Sequence, residues 1–199
     1  MVFEAALVGY FIPSRQGSNL GYGANIGAFT VYAAYKAPKA QIIAYEPVGY
    51  VFDRLSKQVS FNRLENRVSL INAAVGATDG YRNIFVGGSD DVASFIPRKG
   101  TYRQVVRVES IGKVLDRVGR CPVSLLKLDC EGAEWEILPC LTKEMAKQID
   151  RICLEYHPVG GKSINELVQI MRELGFSLIL LRLHRGPVPG VAWFQRCDL

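Results

Sequence analysis

Between Asn25 and Arg196 short apolar, β-branched runs alternate with segments of helical period, and this alternation constrains the chain more than any single motif does. Ile26, Phe29 and Ala33 share one helical face and Pro38 stands just past Lys36, which predicts a helix from Ile26 to Lys36 capped by Asn25. "QIIAY" (41–45) reads as a short buried strand, and Phe52, Leu55 and Val59 recur at the spacing of a second helix. Further strands are predicted at 68–75, 123–129, 149–157, 176–183 and 191–196, and helices at 111–118, over "AEWEILPCL" up to Pro139, and at 163–175. "GYRNIFVG" and "YRQVVRVES" are candidate strands around the loop "GGSDDVASFIPRKG". Strands linked by helices return to the same edge of a sheet, so the expected fold is α/β, a parallel-rich sheet covered on both faces. With 199 residues and no repeat, low-complexity tract or linker, one domain over 1–199 is expected.

Composition narrows the function classes. The longest apolar stretches, such as "FSLILLRL" (176–183), fall well short of the roughly 20 residues a membrane helix needs. The start, "MVFEAALVGYFIPSR", carries Glu4 and lacks the basic lead and small-residue cleavage pattern of a signal peptide, so a cytoplasmic protein is expected. Five scattered cysteines (121, 130, 140, 153, 197) form no C-x-x-C pair and indicate neither a zinc site nor a disulfide framework. The net charge of +5 favours anionic partners only weakly. Basic residues gather at 98–107 and 182–185, but no aromatic-interleaved nucleic-acid signature accompanies them.

In sheets of this kind ligands sit beyond the carboxyl ends of the strands. Those ends are Gly21 to Gly27, Glu46, Asn72 to Ala74, Asp129 with Glu131, and Glu155 with His157. Gly21, Gly23 and Gly27 allow close backbone approach to a ligand, and the helix N-terminus after Asn25 offers N–H groups to an anionic end. Glu46 follows the second strand about 20 residues after the loop, where an acid accepts hydrogen bonds from ribose hydroxyls, and Pro47 stiffens its turn. Loop and acid together point to a cofactor containing adenosine. The string G-Y-G-A-N-I-G places its third glycine one position later than G-x-G-x-x-G, and no G-K-[ST] follows.

"GANIGAFTVYAA", "IIAYEPVGYVFDRL", "INAAVGATDG", "LLKLDCEGAEWEIL" and "ICLEYH" resemble, in order, the blocks of the FkbM-type S-adenosylmethionine-dependent methyltransferases. The resemblance runs from about Gly21 to His157, and the K-x-D-x-E-G-x-E block is its most specific part. It implies a class I methyltransferase (Rossmann-like) three-layer sandwich, mostly parallel, with an antiparallel C-terminal strand. It further implies S-adenosyl-L-methionine as cofactor. Gly23, Ala24, Asn25 and Gly27 would lie under its methionine part, Glu46 would take the ribose hydroxyls, and Asn72, Ala73 and Ala74 would flank the adenine. Gly21, Pro47 and Asp129 complete the candidate cofactor-binding set. The family usually has an aspartate where this chain has Gly21, which implies weaker cofactor binding here rather than a different ligand.

Lys127, Asp129, Glu131 and Glu134 match the family block at the fourth core strand, whose end would face the transferred methyl. Period 2 places Lys127 and Asp129 on one face, so Lys127 is either an active-site group or the structural partner of an acid. Asp129, Glu131 and His157 are the candidate catalytic residues, any of which could take the proton from an attacking hydroxyl. No metal site is assigned, although Asp129, Glu131, Glu155 and His157 are the residues among which a divalent cation would sit. The expected activity is O-methylation of a sugar, glycoside or small-molecule hydroxyl, with a carbohydrate or small molecule as partner. A nucleic-acid methyltransferase and a non-catalytic nucleotide-binding module are the alternatives.

Overall fold

The computed structural model describes residues 18–87, 93–94, 101–157, 160–183 and 190–197. The leader, most of the loop 88–100 and His184 lie outside the described residues, and with them the expectations placed there.

The chain runs through β1 (Ser18–Tyr22), α1 (Ala28–Lys36), β2 (Gln41–Tyr45), α2 (Gly49–Phe61), β3 (Val68–Ile71), β4 (Ala74–Gly76), β5 (Gly80–Gly87), β6 (Ala93–Ser94) and β7 (Thr101–Ser110). It continues through α3 (Ile111–Val118), β8 (Val123–Leu128), α4 (Glu134–Ile137), a 3-10 turn (Leu138–Cys140), α5 (Lys143–Ala146), β9 (Arg151–Tyr156), α6 (Ile164–Glu173), β10 (Phe176–Arg182) and β11 (Gly190–Arg196). Among the described residues seven strands form the main sheet in the order β10-β11-β9-β8-β1-β2-β3. Strands β1, β2, β3, β8 and β9 pair in parallel, and β11 runs antiparallel to both β9 and β10, as the antiparallel C-terminal strand was expected to.

Side chains along these strands alternate between two cores, and β8 is buried throughout. Leu126 and Leu128 of β8, Ile152 and Leu154 of β9 and Phe194 of β11 join one core with α3, α4 and α6. On the opposite face Ile42 and Ala44 of β2 pack with Ala33 and Ala34 of α1 and with Leu55 and Val59 of α2. Leu125, Cys153 and Trp193 continue that face, with Phe29 and Tyr32 of α1 against them. Neighbouring side chains point to opposite sides of a strand, so both faces of the sheet must be covered. Helix α1 ends where the Arg67 guanidinium donates to the carbonyls of Ala34, Ala37 and Ala40, satisfying acceptors that the helix itself leaves open.

Two sequence expectations need correction. The run 68–75 is not one strand: the chain turns at Asn72, β3 stays on the main sheet, and β4 joins a second, four-stranded sheet in the order β4-β7-β5-β6. That sheet buries Ala74, Ile84, Val86, Val106 and Val108 against Val48 and Val51, a pull that an apolar run read in isolation does not display. Within it β5 pairs antiparallel with both β6 and β7, and the mostly parallel sheet that was expected is the main one. Asn25 is not the cap of α1. The N-cap is Gly27 with φ 96°, and the helix starts at Ala28, because the loop before it turns to bring the Asn25 N–H onto Glu46.

Candidate active site

Strand β1 sits between β2, its sequence neighbour, and β8, to which the chain returns after the second sheet. The crevice for a ligand opens where the strand order reverses, beyond the carboxyl ends of β1 and β8. Gly21 lies within β1, in register with Ala44 on one side and Lys127 on the other. After Tyr22 the loop bends through Gly23 (φ 65°), Asn25 (φ 47°) and Gly27 (φ 96°). A Cβ on Gly23 would fall on the backbone carbonyl of Asp129, so the loop crosses the end of β8 at a distance only glycine permits. At Gly27 the added atom would stand 2.8 Å from Leu55 Cδ1. The Ala24 N–H donates to the Tyr45 carbonyl (3.0 Å), which ties the loop to the end of β2.

Glu46 is 5% exposed and braces this corner. Its Oε2 accepts from the Asn25 N–H and its Oε1 from the Val48 N–H, each at 2.9 Å. A carboxylate has about four acceptor positions, so two remain for donors of a ligand. Burial pushes its pKa up to about 7 against the lowering effect of those two N–H groups, and the charge of Asp129 adds to the rise. Hydroxyl donors of a ligand bound here would favour the ionised carboxylate. Cofactor affinity is therefore expected to rise with pH through about 7 and to fall below it by up to about tenfold per unit, the slope of one proton. Isothermal titration between pH 5.5 and 8.5 measures this, and Glu46→Gln should abolish the slope.

The adenine-flanking candidates separate. Asn72 is exposed, and its Nδ2 donates to the carbonyls of Glu46 (2.8 Å) and Pro47 (3.2 Å), pinning the turn after β2. Ala73 and Ala74 are buried in two different apolar clusters, which leaves little more than their backbone for a base to touch.

At the end of β8 Lys127 and Asp129 point to the same side, as period 2 requires. The Lys127 ammonium lies 2.7 Å from Asp129 Oδ2 and 5.3 Å from the centre of the Phe29 ring. A buried ammonium needs such partners, and here they hold the Asp129 carboxylate at the crevice. The next loop is strained: Glu131 has φ 51° and Gly132 φ 104°. A non-glycine residue in this region costs energy and persists only where its surroundings hold it, a feature that clusters at active sites. What holds it is Glu134, fully buried, whose carboxylate accepts from the Cys130 N–H (2.8 Å) and the Gly132 N–H (2.9 Å).

The same carboxylate reaches His157 at the end of β9, with Nδ1 3.3 Å from Glu134 Oε1. Trp135 Nε1 donates to the His157 carbonyl (2.8 Å) and fixes that backbone. His157 Nε2 lies 3.3 Å from Glu131 Oε2 but is not aligned for a hydrogen bond and finds no other partner among the described residues. Burial disfavours the imidazolium, yet the hydrogen bond to Glu134 and the charges of Glu134, Glu131 and Glu155 outweigh it and raise the His157 pKa. The three candidate catalytic residues thus share one mouth. Sequence reading did not see what Glu134 and Trp135 do there; the only signal was an acid four residues after Cys130, at the first turn of a helix.

An open α/β sheet of this order, with its loops and carboxylates gathered at the strand ends, is a Rossmann-like methyltransferase fold. An rRNA methylase from Streptococcus thermophilus superposes on it with a TM-score of 0.59 over 98% of each chain at 10% identity, a likeness of fold alone. Residues 22–178 match the Methyltransferase FkbM domain, and the chain belongs to that family. Among its relatives are the methyltransferase sdnD of Sordaria araneosa, 22% identical over 83% of this chain and 75% of that protein. Another is the 31-O-demethyl-FK506 methyltransferase FkbM of Streptomyces tacrolimicus, 23% identical over 79% of this chain and 71% of that protein. The chain is a methyltransferase, and family and fold both imply S-adenosylmethionine as donor.

Proposed function

We propose that this chain transfers the methyl group of S-adenosylmethionine to a hydroxyl of a sugar, glycoside or other small molecule. The observation that carries the reading is the crossing of the Gly23 loop over the Asp129 carbonyl, which sets a cofactor cradle directly against a cluster of carboxylates and one imidazole. A relative whose name specifies an O-demethylated acceptor supports oxygen as the target.

The residues fit the cofactor. The loop from Gly23 to Gly27 would carry its methionine part, Glu46 its ribose, and Asn72 with the backbone of 73–74 its base. When bound, S-adenosylmethionine supplies a methyl group already activated on a sulfonium sulfur, so the protein mainly aligns the acceptor and removes a proton. Lys127 holds Asp129 in place. Proton removal falls to Asp129, Glu131 or His157, which share the mouth of the crevice. Asp129→Asn and Glu131→Gln keep size and remove the base. Each is expected to lower turnover at least about tenfold with cofactor affinity nearly intact. If both variants methylate at the parent rate, the base lies elsewhere.

A nucleic-acid acceptor is the second reading, favoured by a pI of about 9.0. Transfer of labelled methyl from S-adenosylmethionine into a glycoside fraction and into total RNA, each at low and high salt, separates the two. Glycoside labelling that ignores salt is expected. Labelling confined to RNA and lost steeply with salt would overturn the small-molecule reading, because phosphate contacts release counterions.

A further inference from the structure

One donor atom each of Asp129, Glu155 and His157 lies within 4.8 Å of the others, at the carboxyl ends of the adjacent parallel strands β8 and β9. Donors around a divalent cation bound at about 2.1 Å stand roughly 3 to 4 Å apart, so this group needs only a small closure to hold one. A cluster of acids alone would say little, but His157 adds a separate observation. Its side chain is 8% exposed, and its Nε2 makes no hydrogen bond among the described residues, with Glu131 Oε2 standing 3.3 Å away but out of line, a state that a cation between imidazole and carboxylates would relieve. Its other nitrogen is held by the fully buried Glu134, and a carboxylate behind an imidazole is the arrangement that orients histidine as a metal ligand. Asp129 gives one oxygen to Lys127 and keeps the other for a ligand.

We propose that Asp129, Glu155 and His157 form a site for one divalent cation, of the Mn2+ or Mg2+ class, at the acceptor end of the crevice. Two carboxylate oxygens and one nitrogen select a hard to borderline cation, and three protein ligands leave positions for water or an acceptor oxygen. A hydroxyl bound there is polarised, and its proton becomes easier to remove. Only this last role rests on the proposed methyl transfer; the site itself rests on the side chains.

Mn2+ added to the metal-stripped full chain, without cofactor or acceptor, is the probe. Electron paramagnetic resonance is expected to show one bound Mn2+ per chain, with the 14N coupling of a directly ligated imidazole in spin-echo modulation. Glu155→Gln and His157→Asn should weaken binding at least tenfold, while Glu144→Gln, on the exposed surface of α5, should not change it. Absence of bound Mn2+ at millimolar concentration, absence of 14N coupling in the unmodified protein, or unchanged binding in folded Glu155→Gln would each overturn the site. The signal from the unmodified chain does not depend on the variants folding. Methyl transfer assayed separately with chelator tests the activity without the metal, so either reading can fall alone.

Discussion

Gly23→Ala is expected to lower the melting temperature by about 5–15 °C and to abolish measurable S-adenosylmethionine binding. The new methyl would fall on the Asp129 carbonyl, and the residue must hold φ at 65°. Left-handed backbone costs an alanine about 1–2 kcal/mol and overpacking against fixed backbone about 1–3 kcal/mol more, each kcal/mol being worth about 2–4 °C in a chain of this size. Gly175, past the end of α6, is the comparison, with φ 89° and nothing within 4 Å of an added Cβ. Gly175→Ala should show only the backbone share, about 2–8 °C, and leave cofactor binding alone. Equal melting temperatures for the two variants would mean that the Gly23 loop does not press on the end of β8, and the cradle described above would be lost with it.

Glu46→Ala is expected to weaken S-adenosylmethionine by about 2–3 kcal/mol, roughly 30- to 150-fold, the worth of two charge-assisted hydrogen bonds to a ribose. Calorimetry at pH 8, where the parent carboxyl is ionised, gives the cleanest comparison. The substitution also leaves the Asn25 and Val48 N–H groups without their acceptor, so the loop should loosen. Stability responds in the opposite sense to affinity as pH changes. A carboxyl raised from 4.5 to about 7 binds an extra proton in the folded chain between those values, so its contribution to stability falls as pH rises through that window and is level above it. Unchanged affinity in Glu46→Ala would take Glu46 out of the site.

The spacing of apolar residues was sufficient to read β2, β8, β9, β10 and β11, the parallel-rich α/β class and the helices on both faces, whereas the antiparallel final strand followed from the family resemblance and β1, Ser18–Tyr22, carries no such apolar pattern. Such patterns are local: each strand and helix carries its buried face in its own period. The candidate residues at the strand ends were legible for the same reason, since the carboxyl end of a strand can be located once the strand is. Asn25 shows where this stops. Its residue type suits a helix cap, but its main-chain N–H is claimed by Glu46, 21 residues away, and the helix starts later, at Ala28.

The run 68–75 fails similarly, because its break at Asn72 is decided by β7, a partner more than 25 residues further along. Lys127 stood between two roles until its ammonium was found against both Asp129 and the Phe29 ring. By itself the sequence determined which residues reach the mouth of the crevice: Gly23, Glu46, Asp129, Glu131, Glu155 and His157. Tertiary structure alone decided how they meet there, with Gly23 against the Asp129 carbonyl, Glu134 behind His157, and His157 within reach of Asp129 and Glu155. The physical reason is that burial follows from the period of one segment, whereas hydrogen bonds and charge pairs depend on the distance between segments that only the folded sheet brings together.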